Sequence, residues 1–290
     1  MKKRIERDRL LAAAMQGLPV SVVSAFGAYQ GRRYAQKAVQ RQARWVERLY
    51  HNLEFLHGRR LDDDERWQSL KAYAEQLGRV YAEICVLPRL VHSAKFHIVN
   101  PATVQPLSGP YVVVVPHLAN WEAVGDFLGR TLPSVHVLYE PRETKTRMAL
   151  AMRTRQAMMP NATFVSTTDP RPMKTLMKAL SQGGSVLILP DEPGRNGGIP
   201  AFGKRPLTQG NRWMAARLAA SYGAQILPLC VSRQQQAEMT LTVHPTLPME
   251  LRLTVEEQAI QYAEQMDSLF ETWVRQAPTD WYWLKDTRLT

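Results

Sequence analysis

Hydrophobic positions along the chain switch repeatedly between two periods. Val112 to Val115 are four consecutive valines, an unbroken apolar run that predicts a strand buried on both faces. Pro116 closes it, because proline cannot donate to a ladder. Further short apolar runs predict strands at Phe96–Val99, Val135–Tyr139, Thr163–Val165, Val186–Leu189, Ile226–Val231 and Thr240–Val243, the last two forming a hairpin. Between them the period lengthens to that of helices: from about Asp64 past Leu77, from Thr144 to Met158, from Pro172 to Leu180, from Thr208 to Tyr222 and from residue 254 to 275. Residues 79–96 read as helical as far as Pro88, and Asn100-Pro101 as a turn. The acidic run Asp62 to Glu65 caps the first of the long helices, and Gly183-Gly184 and Gly223 end two others. Alternating strands and helices imply an α/β protein with a mixed, mostly parallel central sheet flanked by helices.

The N-terminal part has a different pattern. Leu10 to Tyr29 carries no charge and is long enough to reach across a bilayer, but Gly17, Pro19, Ser21, Ser24 and Gly27 dilute it. Basic residues flank both ends, whereas a spanning helix wants that excess on one side. A secretory signal, a spanning anchor and an interfacial segment all remain open, with the interfacial arrangement favoured. Residues 33–53 predict an amphipathic helix. At about 100° per residue, Arg33, Lys37, Arg41, Arg44 and Arg48 fall within roughly an 80° sector, opposite Val39, Val46, Leu49, Tyr50 and Leu53. The division expected is a membrane-associating basic helical arm over residues 1–60 and a catalytic domain over 61–290.

Charge sharpens this picture. The net charge is +11, yet residues 1–60 hold 13 Lys and Arg against 4 Asp and Glu, so the body is almost neutral and the arm attracts anions. Phospholipid headgroups, an acidic protein or nucleic acid would each suit such an arm; the partners expected are a membrane surface and an acidic carrier protein, and not nucleic acid. The 2 cysteines, Cys85 and Cys230, lie in apolar contexts and read as buried thiols. No Cys/His cluster has zinc spacing, so neither metal nor cofactor is expected.

Candidate chemistry gathers behind the valine run. His117 falls at the carboxyl end of that strand, where open α/β sheets place ligands. Asn120 reads as the N-cap of the next helix, with Trp121 and Glu122 in its first turn. His117 and Glu122 would lie about 140° apart on one helix, so they can meet only if His117 stays on the turn. A carboxylate beside an imidazole fixes its tautomer and stabilises the imidazolium. No G-x-S-x-G nucleophile motif exists in the chain. Gly194 to Gly203, with Lys204 and Arg205 beside it, reads either as a phosphate-cradling loop or as a flexible lid.

His117-Leu-Ala-Asn-Trp-Glu122 resembles the H-x4-E box of the lysophospholipid acyltransferase superfamily, and its N-W-E form is similar to the lipid A biosynthesis (lauroyl/myristoyl) acyltransferases. Tyr139-Glu-Pro141, Arg153-Thr-Arg155, Leu189-Pro-Asp191, Ile199 to Gly203 with Pro206 and Thr208, Pro228, Ala277-Pro278 and Trp281 to Leu284 extend the resemblance over most of the chain. It implies an O-acyltransferase of lipopolysaccharide biosynthesis on the cytoplasmic side of the cell inner membrane. The donor would be a thioester of acyl carrier protein or CoA, and the acceptor a lipid A precursor. It implies His117 as general base, Glu122 as its partner, Arg153 as the oxyanion or phosphate ligand, and Asp191 orienting His117, Arg153 or a sugar hydroxyl. Asn120, Trp121, Arg155, Gly203, Lys204 and Arg205 would contact substrate. Direct transfer needs no covalent acyl-enzyme. An enzyme for another lipid acceptor and a non-enzymatic membrane-binding protein of the same fold remain as alternatives.

Overall fold

The computed structural model describes residues 12–99, 109–141, 145–193, 202, 208–250 and 252–290, with the side chains of residues 145 and 146 excepted. Its strands are β1 (Phe96–Val99), β2 (Tyr111–Val114), β3 (Val135–Tyr139), β4 (Ala162–Ser166), β5 (Ser185–Ile188), β6 (Gln225–Gln235) and β7 (Glu238–Val243). They form one sheet in the order β1-β7-β6-β2-β5-β3-β4. Every neighbouring pair is parallel except the β6–β7 hairpin. This is the mixed, mostly parallel sheet the pattern predicts. The valine run behaves as expected: Val112 and Val114 enter the core on one face, Val113 and Val115 the core on the other, and none is more than 1% exposed.

The helices are α1 (Val20–Gln40), α2 (Arg44–His57), α3 (Asp63–Glu83), α4 (Leu87–Val91), α5 (Val124–Thr131), α6 (Lys145–Met158), α7 (Pro172–Ser181), α8 (Gly210–Tyr222) and α9 (Val255–Gln276). The acidic run caps α3 through a reciprocal pair, the Glu65 amide donating to Asp62 at 2.8 Å and the Asp62 amide to Glu65 at 3.0 Å. Thr254 and Glu257 do the same for α9. Gly223, at φ 60°, ends α8.

The N-terminal part departs from expectation. The single amphipathic helix over 33–53 is two helices, broken at residues 41–43, where Gln42 takes a positive φ of 48°. Val39 is therefore exposed rather than gathered with Leu49 and Leu53. From Val20 onward the arm is not detached. Helix α1 crosses α3 with backbone against backbone at Gly27, Gly31 and Gly78, where any Cβ would overlap the facing carbonyls. Small residues at such a crossing let two helices approach closely, so Val23, Ala28 and Ala35 become fully buried. Helix α2 buries Val46, Leu49, Leu53 and Leu56, and Asn52 donates to the carbonyls of Leu284 and Thr287. No helix among the described residues is long and apolar enough to cross a membrane. Residues 1–11 and the Asn100-Pro101 turn lie outside the described residues.

Candidate active site

Register explains how two distant residues meet. Strands β2 and β5 are parallel neighbours, with Val114 opposite Ile188. Three residues beyond each lie His117 and Asp191, so both emerge from the same sheet edge. The chain leaves β2 toward β3 and β5 toward β6, on opposite sides, and carboxyl ends at such a switch point border a ligand crevice.

His117 Nδ1 lies 2.8 Å from Asp191 Oδ1, and the His117 amide donates to Asp191 Oδ2 at 2.8 Å. Asp191 is fully buried and also accepts from the Trp281 indole at 3.0 Å. An ionised carboxylate only accepts, so Nδ1 carries the proton and Nε2 is left as the basic nitrogen. The hydrogen-bonded partner of His117 is thus Asp191, which corrects the expectation that gave this place to Glu122. Indoles and a phenol surround the imidazole, with ring centres of Trp121, Trp283 and Tyr282 at 4.6, 5.1 and 6.0 Å.

Glu122 sits in a 3-10 turn, Trp121–Ala123, that leads into α5. There it forms a two-pronged pair with Arg155 of α6, one prong being Nε to Oε2 at 2.8 Å and the other Nη2 to Oε1. Burial alone would push the Glu122 carboxyl up, but the adjacent guanidinium, with a smaller contribution from His117, holds it below the usual range. Burial likewise acts to lower Arg155, and the Glu122 carboxylate raises it overall. The arginine facing the site is therefore Arg155. Arg153, two residues and about 200° further round the helix, is exposed and outside the cavity lining.

His117, Trp121, Glu122, Arg155, Tyr139 and Leu189 line a cavity of ≈ 120 Å³ at the strand ends. A second cavity of ≈ 270 Å³ meets it at Trp121, Glu122 and Arg155 and is walled by Met15, Val80, Ile84, Leu150 and Ala151. Asn120 holds the N-cap position of the 3-10 turn Trp121–Ala123, as expected, but its side chain makes no capping bond. Its side chain is fully buried and donates to Glu83 Oε2 at 3.0 Å. Glu83 in turn accepts both Arg233 prongs, at 2.8 and 2.9 Å, and the Ser24 hydroxyl at 2.7 Å. Glu83 and Arg233 belong to no motif; the available signal was a lone acid inside the apolar run from Val80 to Leu87 and a lone base between the apolar run Ile226–Val231 and the glutamines Gln234 to Gln236. Gly203, Lys204 and Arg205 lie outside the described residues. Among the described residues no three His, Cys, Asp or Glu side chains come together to hold a metal. Burial pushes the Cys85 thiol to about 11 and the Cys230 thiol to about 12, away from thiolate chemistry.

The sheet edge places the buried His–carboxylate pair beside a cleft of an α/β protein. Residues 10–289 match the family described as bacterial lipid A biosynthesis acyltransferase, and the chain belongs to that family. It is an acyltransferase that acts on a lipid. No curated protein matches the chain. Among solved structures it is similar to the 1-acyl-sn-glycerophosphate acyltransferase PlsC from Thermotoga maritima, at 13% identity and a TM-score of 0.40, over 88% of this chain and 95% of that one.

Proposed function

We propose that this enzyme moves a fatty acyl chain from a thioester of acyl carrier protein or CoA directly to a hydroxyl of a lipid A precursor, with His117 as general base. One observation carries the proposal: Asp191 holds Nδ1–H, so Nε2 is the basic nitrogen of a residue that lines the cavity. Nε2 takes the hydroxyl proton as the oxygen attacks the thioester carbonyl. The tetrahedral oxyanion then collapses, the C–S bond breaks, and the imidazolium returns its proton to the thiolate. Buried Asp191 stabilises the imidazolium throughout. Arg155 faces the same cavity, and its charge favours an oxyanion or a phosphate there, while Glu122 fixes its orientation. The adjoining apolar cavity suits the acyl chain.

The reading also places the enzyme on the cytoplasmic side of the inner membrane. Leu18, Val22, Phe26 and Tyr29 are 43%, 47%, 36% and 46% exposed and recur at three- and four-residue intervals. They make an apolar stripe beside Arg33, whose guanidinium lies over the Tyr29 ring. Such a stripe with a basic border supports interfacial contact with anionic lipid.

The test is acyl transfer from labelled donor to lipid A precursor, and to other lipids in parallel, with product identified by mass spectrometry. His117→Ala should lose about 10²–10⁴-fold in turnover, and Asp191→Asn should impair the same step. Near-normal turnover in His117→Ala refutes the base assignment. An acyl adduct on the protein after incubation with donor alone refutes direct transfer.

A further inference from the structure

The C-terminal segment closes over the histidine loop by backbone pairing. The Tyr282 amide donates to the His117 carbonyl at 2.9 Å, the Ala119 amide donates to the Asp280 carbonyl at 3.1 Å, and Leu118 bridges Trp281. Ala119 takes a φ of 48°, a conformation that an L residue holds only where its surroundings impose it. Besides the Tyr282 and Trp283 rings against the imidazole, Trp281 adds a side-chain hydrogen bond from this segment to the proton-carrying pair, its Nε1–H on Asp191 Oδ2. Both Trp281 and Asp191 are fully buried.

From this geometry we infer that Trp281 is a positioning residue of the acyl transfer reaction: its indole N–H sets the orientation and basicity of Asp191, and so governs how firmly His117 holds a proton. The inference rests on His117 acting as the base. Among the described residues three N–H donors converge on Asp191, and two of them come from His117 itself. The indole is thus the donor that ties the carboxylate to something other than the residue it serves. Removing it leaves Asp191 with one donor fewer at a fully buried position. The carboxylate then draws the imidazole proton more strongly. The other charged or titratable groups facing this site are Glu122, through its field on His117, Arg155 bound to Glu122, the Tyr282 phenol, Tyr139, Glu140 and Glu192 on the cavity wall, and the buried Cys230 thiol, which lies in the field of Asp191.

The experiment compares full-length wild type with two variants, Trp281→Phe and Trp281 replaced by β-(3-benzothienyl)alanine. The second keeps the ring volume and removes only the N–H, so it preserves the core if phenylalanine does not fold. Rates of transfer are recorded against pH, with His117→Ala and Trp273→Phe alongside. The expected result is an acidic limb of the kcat profile moved to higher pH by about one unit, the scale of one lost hydrogen bond to a charged group. KM for both substrates should stay within about twofold, because the indole does not line either cavity. Combining the benzothienyl residue with Asp191→Asn should move the limb no further than Asp191→Asn alone. A slower enzyme with an unmoved limb, or additive effects in the combined variant, overturns the inference while leaving the base assignment standing. An active His117→Ala overturns the base assignment instead. Trp273→Phe, at a buried indole that packs on Phe270 instead of the His117–Asp191 pair, should leave the limb where it is, and an equal displacement there would reduce Trp281 to ordinary packing.

Discussion

Gly31→Ala sets two effects against each other, and the structure decides the sign. In a free helix the substitution stabilises by about 1 kcal/mol, because glycine is the costlier residue in a helix interior. At the α1–α3 crossing, however, a Cβ on Gly31 would lie 1.9 Å from the Ala74 carbonyl oxygen and 2.5 Å from its carbon. The obstacle is the backbone of a buried helix, which has no rotamer to adopt. Reaching ordinary contact requires the helices to part by roughly 1.5 Å, given carbon contacts of about 3.5 Å. Separation weakens packing along the whole interface, including Val23, Ala28 and Ala35, which are at most 1% exposed. Overpacking of this kind costs about 1–3 kcal/mol and more where backbone must move. The net expectation is a loss of about 1–2 kcal/mol, read from urea titration of the full chain by far-UV circular dichroism. Gln30→Ala, exposed on the same helix, supplies the comparison and should change stability by only a few tenths of a kcal/mol. A Gly31→Ala protein as stable as wild type or more so would refute the reasoning.

Two further outcomes follow from buried charge. Arg233→Ala leaves Glu83, whose side chain is fully buried, without its cation and should cost about 3–5 kcal/mol in urea unfolding; adding Glu83→Gln should recover much of that, and equal losses in single and double variants would show the pair to be uncoupled. Burial pushes the Asp280 carboxyl up to about 6 from an ordinary 3.8, against the opposing charge of Arg233. A folded-state value above the unfolded one means the ionised form opposes folding, fully above about pH 6 and progressively less as pH falls toward 3.8. Asp280→Asn should therefore stabilise by up to about 3 kcal/mol at pH 8, with the gain shrinking below pH 6, whereas a gain constant with pH would contradict the assignment.

What the sequence carried about the fold was local. Val135–Tyr139 and Phe96–Val99 appear with the expected bounds because short apolar runs between turn residues have few alternatives. The capped start of α3 was legible from Asp62 and Glu65 for the same reason, since both partners lie within one turn. The break at residues 41–43 was not, because the arginine spacing there continues smoothly across it. The site followed the same division. His117 was placed by the valine run, but the choice between Glu122 and Asp191 as its partner depends on β2 lying beside β5, across 74 residues of chain. Arg155 and Arg153 differ only in helix phase, which sequence cannot orient until the neighbouring helix is known.

The Glu83–Arg233 cluster missed by local reading has a physical task beyond stability. Replacing a buried ion pair by apolar residues is often neutral for stability, so Glu83 and Arg233 are poorly explained as glue. Their geometry offers a better account. The two Glu83 oxygens accept from Ser24 on α1, Asn120 on the histidine loop and Arg233 on β6. An apolar trio would fill that volume but would leave the buried Asn120 amide without an acceptor. Asn120 follows Ala119, the residue at positive φ, and the Asp280 carbonyl takes the Ala119 amide from the C-terminal segment. A loop in an uncommon conformation persists only when several contacts over-determine it. Here one set of contacts is anchored in α1 and α3, and the other in residues 280–282. The position of His117 therefore depends on helix α1, whose outer face carries the apolar stripe. Weakening the α1–α3 crossing should in consequence lower turnover as well as stability, although its glycines line neither cavity.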